Sequence, residues 1–275
     1  MRDVRLFSSM LALSLVAGCG GPGVRDEAPA AVVVVDAEQI AQATPPAVPV
    51  TTLQTRLQAL APGLDPGVLA LALESRACAV RNRQADGDAR LAVIDYSKPS
   101  TDKRIWVFDV ANEKLLHHEF VTHGSGSGQN MATRFSNVEG SHATSLGLFR
   151  TAETYIGGNG YSLRMDGLDA GFNDNARMRA IVMHGAWYAN PDLIPKQGRL
   201  GRSQGCPALR EQVARIVIDD LKQRQLVFAY AEDASWLQRG RSFACDGRSA
   251  GQIIAAARAG LPMGGGAQTA SVAAP

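Results

Sequence analysis

The strongest constraint on the fold of this chain is a series of short apolar runs between residues 91 and 230, divided by turn-forming residues. Residues 91–96 and 105–110 are apolar on both faces, as buried strands are, and a turn returns the chain through 115–121. One longer stretch, at about 208–223, has the apolar spacing of an amphipathic helix. The pattern predicts a mainly antiparallel, mainly β fold with flanking helices, of the α+β class. Further strands are expected at 145–149, 161–165, 179–183 and 226–230.

The regions on either side of these strands have a different composition. Residues 51–90 show helical spacing of apolar residues, and Asp65 followed by Pro66 suits a helix cap with a first-turn proline. We therefore expect a helical lead-in over 51–90 and the main domain over 91–231. A C-terminal extension would occupy 232–275, and its Gly- and Ala-rich composition after about 246 predicts a mobile tail.

The N-terminus has the features of an export signal. Arg2 and Arg5 precede an apolar run at 6–17 that is too short to span a bilayer. The run ends in Leu-Val-Ala-Gly-Cys, which resembles a bacterial lipobox and predicts a signal peptide over 1–18 with lipidation of Cys19. The alternative is an ordinary secretory leader. Residues 19–50, rich in Ala, Pro and Val, would form a tether, and Gly20 fits outer-membrane sorting of a periplasmic, lipid-anchored protein.

The stretch at 179–209 contains a histidine and a cysteine in a pattern that suggests chemistry. An apolar run delivers His184, and a Pro- and Gly-rich loop leads to Cys206. An imidazole base can convert a weakly nucleophilic thiol into a thiolate. Pro207 suits a first helical position, so we expect Cys206 at a helix N-terminus, where the helix dipole favours thiolate.

Each of these residues also has a simpler interpretation. A single cysteine is often a small buried hydrophobe, and a histidine on a strand is often a satisfied core residue. The combination favours catalysis, because a core cysteine does not need the preceding Gly205, whereas a backbone that approaches a substrate carbonyl does. We therefore interpret Cys206 as a nucleophile and His184 as its base.

These residues resemble the catalytic motif of YkuD-type L,D-transpeptidases, with His-Gly followed after a spacer by Ser-x-Gly-Cys. The string GRLGRSQGCPAL at 198–209 is similar to one branch of them, the murein L,D-transpeptidase catalytic domain family. The resemblance spans roughly 60–231 and implies a YkuD-like catalytic fold, a β-sandwich or barrel-like structure. Segments LAVIDYSKPSTDKRIWVFDV (91–110), VTHGSGSG (121–128), RFSN (134–137), SLGLF (145–149) and YSLRMDGLDAGFNDNARMRAIVMHG (161–185) fit the same branch.

The resemblance implies cell-wall chemistry on the tetrapeptide stem of peptidoglycan. Cys206 would attack the stem, and His184, oriented by the carbonyl of Gly185, would exchange the proton. Backbone amides around Gly205 and Cys206 would stabilise the oxyanion. Transfer to an amine would give a 3–3 crosslink, and transfer to water would make the protein an L,D-carboxypeptidase. A non-enzymatic cell-wall-binding lipoprotein is a further alternative.

Departures from the broader family make the acyl acceptor and the activity open questions. Gln204 stands where a histidine is usual, so no second imidazole can assist the thiol. Pro207 and Ala208 replace a hydrophobe and an arginine that could bind a substrate carboxylate. Arg202 and Arg210 are therefore candidates for substrate binding, and His123 is a further candidate, for which a structural loop role is the favoured alternative. Ser203, Gln204 and Gly205 are expected to support the loop and the oxyanion.

The remaining cysteines and histidines suggest a disulfide and argue against a metal. Export permits a disulfide between Cys78 and Cys245, with two buried free thiols as the alternative. A zinc peptidase using His123, His142 and His184 is a rival interpretation, but no HExxH or Cys-pair spacing supports it. We expect no metal and no cofactor. The net charge of +2 includes no basic patch, so nucleic acid is not an expected partner.

Overall fold

A computed structural model of the protein describes residues 52–261. Those residues contain eight strands, which are β1 (Leu91–Asp95), β2 (Ile105–Asp109), β3 (Lys114–Glu119), β4 (Gly147–Gly157), β5 (Gly160–Gly167), β6 (Val182–Gly185), β7 (Ala208–Leu209) and β8 (Leu226–Tyr230). The strands form one mixed sheet in the spatial order β3-β2-β1-β8-β4-β5-β6-β7. Most neighbouring strands are antiparallel, and the pairs β1–β8 and β6–β7 are parallel.

The two ends of this sheet meet, so that it forms a nearly closed barrel. After β3 the chain continues beside β7, where the Thr122 amide donates to the Ala208 carbonyl at 3.0 Å. The Ala208 amide returns a bond to Thr122 Oγ1 at 3.2 Å. A parallel bridge between Gly124 and Ser203 continues the contact. The prediction of a mainly β, barrel-like fold with flanking helices is confirmed.

The core of the barrel follows from the apolar runs in the sequence. Every residue of β1 and β8 is buried, which explains why neither strand alternates apolar and polar residues. Val93 lies opposite both Trp106 and Phe228 in the register, and all three side chains are almost fully buried. Burial of each such side chain contributes about 1.5–3 kcal/mol.

Helices cover the sheet on its outside. The lead-in contains two of them, and Asp65 caps the second by accepting from the Gly67 and Val68 amides at 2.8 and 3.1 Å. Pro66 occupies the first turn, as predicted. The helices are α1 (Leu53–Leu60), α2 (Pro66–Arg81), α3 (Ile194–Gln197), α4 (Glu211–Leu221), α5 (Ala234–Arg239) and α6 (Ala250–Arg258), with 3₁₀ turns at Ser125–Ser127, Trp187–Ala189 and Pro191–Leu193.

The C-terminal extension packs on the domain, and the prediction of a mobile tail from about 246 is wrong as far as residue 258. Ser249 and Gln252 form a capping box that starts α6. Ile253 and Ile254 of this helix are buried, and α6 packs against α2. Burial of an apolar face stabilises this helix despite its small residues.

A disulfide also holds the extension in place. It joins Cys78 in α2 to Cys245, whose Cα atoms lie 5.7 Å apart. Nearby, the buried carboxylate of Asp169 accepts from the amides of Arg241 and Ser242, both at 2.9 Å. The extension is therefore fixed to the lead-in helix by a covalent bond and to the barrel by hydrogen bonds.

Two boundaries near the candidate site differ from the predictions. The strand predicted at 179–183 begins at Val182, because Ala180 has a positive φ of 51° that a strand does not allow. The helix predicted at about 208–223 begins at Glu211, and Ala208 and Leu209 pair with β6 instead. Cys206 therefore does not lie at a helix N-terminus, and that argument for a thiolate is wrong.

The predicted signal peptide at 1–18, the lipidation site Cys19 and the tether at 19–50 lie outside the described residues. Within residues 52–261, no helix has the length and apolar character needed to cross a membrane.

Candidate functional site

Strands β6 and β7 bring His184 and Cys206 to one cleft. The two strands run parallel, with His184 in register with Ala208, two residues beyond the cysteine. Both side chains line a cleft of about 630 Å³. The cleft is lined by Glu139, Gly140, His142, Asn159, Arg179, Ala180, His184, Tyr188, Arg202, Ser203, Gln204 and Cys206.

The thiol of Cys206 is held by the segment that leads into β6. Its sulfur accepts from the Val182 amide at 3.4 Å, and the S–H group donates to the Ala180 carbonyl at 3.7 Å. Burial raises the pKa of Cys206 above its ordinary value, although the Val182 amide and the charge of Arg179 oppose this effect. The resting group is therefore a neutral thiol at neutral pH.

The imidazole of His184 has a defined orientation. Its Nδ1 lies 2.9 Å from the carbonyl oxygen of Gly185, to which a protonated Nδ1 donates. That bond leaves Nε2 as the proton-accepting nitrogen. Burial lowers the pKa of His184, with the Gly185 carbonyl opposing. A neutral imidazole with a fixed tautomer is suited to take a proton from a thiol.

Gly185 and Tyr188 both lie close to this histidine, and packing explains why residue 185 is a glycine. A Cβ on Gly185 would lie 3.0 Å from the Cβ of Ala214 in α4, so a larger residue would push the strand from the helix. Tyr188 meets the His184 ring edge-on at a centroid distance of 6.4 Å. Burial and the negative charge of an ionised Cys206 raise the pKa of Tyr188 to about 12, so the phenol remains neutral.

The loop before Cys206 is organised by Ser203, as the sequence predicts. The Ser203 hydroxyl donates to the Cys206 carbonyl at 2.6 Å and accepts from the Gly205 amide at 3.1 Å. Because the Gly205 amide is used in this way, it is not free to stabilise an oxyanion, and the neighbouring amides of the loop are the remaining candidates. The amides of Gln204 and Cys206 donate to no acceptor within residues 52–261.

Two glycines let this loop approach its neighbours. Gly205 has a φ of 120°, and a Cβ there would lie 2.9 Å from the Ala143 carbonyl oxygen. A Cβ on Gly124 would lie 2.3 Å from the His142 carbonyl oxygen and 2.9 Å from the Cα of Gly205. Gly124 thus lets the 121–128 segment pack directly against the cysteine loop. The Thr144 hydroxyl joins the two, because it accepts from the Gly124 amide at 2.9 Å and donates to the Gly205 carbonyl at 3.5 Å.

Of the predicted substrate-binding residues, the structure places only Arg202 in the cleft, together with the exposed loop residue Gln204. One Arg202 nitrogen donates to the Gly128 carbonyl at 2.9 Å. Arg210 instead forms a two-point ion pair with Glu119, at 3.0 and 2.7 Å, and does not line the cleft.

His123 is fully buried, with Nδ1 2.8 Å from a guanidinium nitrogen of Arg104. Burial, followed by the charge of Arg104, lowers the pKa of His123 to about 4. The histidine is therefore neutral and does not line the cleft, which agrees with the structural role and not with the alternative of a substrate contact. Its position also separates it from His142 and His184, so the three histidines of the zinc alternative are not assembled. Within the described part of the chain, no group of three His, Cys, Asp or Glu residues could hold a metal ion.

Several cleft residues were missed by the sequence analysis. Glu139 and Asn159 are exposed on loops, and Arg179 lies within a segment that we predicted as a strand. Arg179 makes its contacts with residues far away in sequence, so no local pattern indicates its role. Tyr188 lies only four positions after His184, and this short spacing is the one sequence signal that could have identified it.

Comparisons with known proteins agree with the resemblance seen in the sequence. A family model described as the L,D-transpeptidase catalytic domain matches residues 60–230. No curated protein matches the chain.

Solved structures that resemble the chain include an L,D-transpeptidase from Mycobacterium smegmatis, with 15% identity, a TM-score of 0.32, and coverage of 52% of this chain and 59% of that one. An L,D-transpeptidase from Stackebrandtia nassauensis has 13% identity, a TM-score of 0.33, and coverage of 66% and 90%. The helical cell shape determining protein Pgp2 from Campylobacter jejuni has 12% identity, a TM-score of 0.35, and coverage of 74% and 60%. The match spans about 59% of the Mycobacterium smegmatis protein.

Proposed function

Because the chain belongs to the L,D-transpeptidase catalytic domain family, whose enzymes are cysteine-dependent and act on peptidoglycan stem peptides, we propose that it transfers an acyl group from a tetrapeptide stem to an amine. The observation that supports this most strongly is that His184 in β6 and Cys206, two residues before the parallel strand β7, line one cleft. The product would be a 3–3 crosslink between two stems.

In the first half of the reaction, His184 Nε2 takes the proton of the Cys206 thiol as the sulfur attacks the carbonyl carbon of the third stem residue. The free amides of Gln204 and Cys206 are the candidate donors to the resulting oxyanion. The tetrahedral intermediate collapses when the peptide bond to D-Ala breaks. His184 then returns the proton to the leaving amine, which leaves a thioester on Cys206.

In the second half, the side-chain amine of another stem attacks the thioester. His184 accepts a proton from this amine and returns it to the departing sulfur, which restores the thiol. The new amide bond is the crosslink. Attack by water in place of the amine would yield a tripeptide, which is the carboxypeptidase outcome.

The resting protonation states suggest when the nucleophile forms. Burial raises the pKa of Cys206 and lowers that of His184, so both effects disfavour a preformed thiolate–imidazolium pair in the free protein. Proton transfer is therefore coupled to the attack on the substrate. Arg202, at the cleft, supplies a cation that can bind a stem carboxylate.

We further propose that lipidation at Cys19 anchors the protein in the periplasm, on the outer membrane. This agrees with membership of a cell-wall enzyme family. The predicted divisions at 51–90, 91–231 and 232–275 describe how the exported part would be organised. Labelling with a radioactive fatty acid, compared between the wild type and Cys19→Ala, tests the anchor, and equal label in both would contradict it.

The proposed activity can be tested with the full chain and purified disaccharide-tetrapeptide, with products identified by mass. A crosslinked dimer that is absent with Cys206→Ala is the expected result. Tripeptide and free D-Ala without dimer would establish the carboxypeptidase instead. Turnover that persists in Cys206→Ala, or binding of peptidoglycan without turnover, would contradict the proposal. Arg177→Gln, which removes an exposed charge near His184 in the sequence, is the matched control and should give the wild-type products.

A further inference from the structure

Arg179 connects the start of β6 to the wall of the cleft formed by residues 136–145. One nitrogen, Nη1, donates to the Ser136 carbonyl at 2.7 Å and to Ser145 Oγ at 2.5 Å. The other, Nη2, donates to Ser141 Oγ at 3.1 Å and to the Ala143 carbonyl at 2.8 Å. None of these four partners is a carboxylate. The guanidinium therefore has satisfied hydrogen bonds, but its charge is not neutralised by them.

The same arginine lies beside the cysteine loop. A Cβ on Gly205 would be 3.5 Å from Arg179 Nη2. The next residue, Ala180, has a φ of 51° and presents its carbonyl to the S–H group of Cys206. Such a backbone conformation is unfavourable for alanine, and strain of this kind is often found at functional sites. The 179–180 segment thus presents a hydrogen-bond acceptor to the sulfur and places a cation beside Gly205, the residue before Cys206.

Other ionisable groups lie around Cys206: Glu139, His142 and Arg202 line the same cleft, and Tyr96, His184 and Tyr188 are neutral at neutral pH. Tyr96 is buried after β1, and burial raises its pKa. The pKa of Tyr188 is raised to about 12, and the pKa of His184 is lowered by burial. Arg179 is the charged group whose field favours ionisation of the thiol, and the ionised sulfur in turn favours the charged form of the arginine.

We propose that Arg179 is a positioning residue for the acyl-transfer reaction. It fixes the 136–145 wall of the cleft, and its charge stabilises the thiolate that forms when Cys206 gives its proton to His184. A cation placed where negative charge develops, in a partly buried site, lowers the free energy of that charge without any reorganisation at the moment of reaction. This inference rests on the proposed function, but the test below needs no stem peptide.

The test measures the rate of alkylation of Cys206 by iodoacetamide as a function of pH, in the full chain, with the modified peptide identified by mass. In Arg179→Gln we expect the profile to move to higher pH and the rate at pH 8 to fall about threefold to tenfold. Arg179→Lys keeps the charge and should recover most of the wild-type profile. Arg177→Gln removes a charge that is paired with Glu153 and Asp166 and should leave the profile unchanged.

A second variant covers the case in which Arg179→Gln does not fold. Ser141→Asp keeps the arginine and places a carboxylate beside Nη2, where the serine hydroxyl lies now. This change should also move the alkylation profile to higher pH. Superimposable profiles for wild type and either folded variant would overturn the proposal, because a purely structural role would not alter the ionisation of Cys206. Since alkylation requires no turnover, absence of acyl transfer in the wild type would count against the proposed function alone.

Discussion

Replacement of Ser203 by alanine tests how the cysteine loop is held. The hydroxyl is buried and makes two hydrogen bonds, to the Cys206 carbonyl at 2.6 Å and from the Gly205 amide at 3.1 Å. Removal of the oxygen loses both bonds, each worth about 0.5–1.5 kcal/mol, and leaves two backbone groups unsatisfied at about 1–3 kcal/mol if they stay dry. We therefore expect Ser203→Ala to lower the free energy of unfolding by about 2–4 kcal/mol.

The same substitution should slow catalysis in the protein that remains folded. The loop carries the Cys206 thiol and the amides proposed to bind the oxyanion, so a loss of 1.4 kcal/mol or more of positioning corresponds to about a tenfold fall in kcat or greater. The fall should appear in kcat, with KM for the tetrapeptide changed little, because the hydroxyl points into the backbone of the loop and not to the substrate.

Urea unfolding followed by intrinsic fluorescence gives the stability, and the product assay gives kcat and KM. Ser235→Ala, at an exposed serine remote in sequence from the cleft loops, is the matched control and should change both quantities little. A Ser203→Ala protein within about 0.5 kcal/mol and twofold of the wild type would refute the reasoning that this hydroxyl organises the loop.

Loss of the disulfide in a Cys78→Ser, Cys245→Ser double variant should lower the free energy of unfolding by about 2–5 kcal/mol, measured in urea, because the bond closes a loop across 167 positions; an unchanged midpoint would contradict this. In the free protein, the alkylation rate of Cys206 should still be rising at pH 9.0, the ordinary pKa of a thiol, because burial favours the neutral form; a plateau below pH 7 would show a preformed thiolate. Arg202→Ala should raise KM for the tetrapeptide about tenfold, the loss of one charge-assisted contact, whereas Arg210→Ala, which breaks only the pair with Glu119, should change KM less than twofold; equal effects would remove the distinction between them.

Much of the barrel could be predicted because its central strands are short apolar runs bounded by turn residues. β1, β2 and β8 were located within a residue or so, since burial on both faces leaves no polar alternation to obscure the pattern. β7 could not be found in this way. Ala208 and Leu209 continue into the helical pattern of α4, and only their pairing with β6 and Thr122 makes them a strand.

The residues of the candidate site also fall into two groups, those that the sequence predicts and those that it does not. His184, Gly185, Ser203 and Cys206 could be named from sequence because a motif relates them. Whether another polar residue lies in the cleft depends on partners that are far away in the sequence. Arg210 has an acidic partner, Glu119, which removes it from the cleft, and Arg179 enters the site through bonds to the 136–145 wall. Helix α6 is a different case. Its capping box at Ser249 stands in a Gly- and Ala-rich context, and that composition predicts a mobile tail.

The central claim is that Cys206 carries the acyl group, and the most direct test is the mass of the protein during turnover. The full chain is mixed with disaccharide-tetrapeptide, quenched with acid within seconds, and digested for peptide mapping. We predict an adduct equal to the disaccharide-tripeptide less one water on the peptide that contains Cys206, and none in Cys206→Ala. Product formation with no adduct at this cysteine, or an adduct on another residue, would contradict the account.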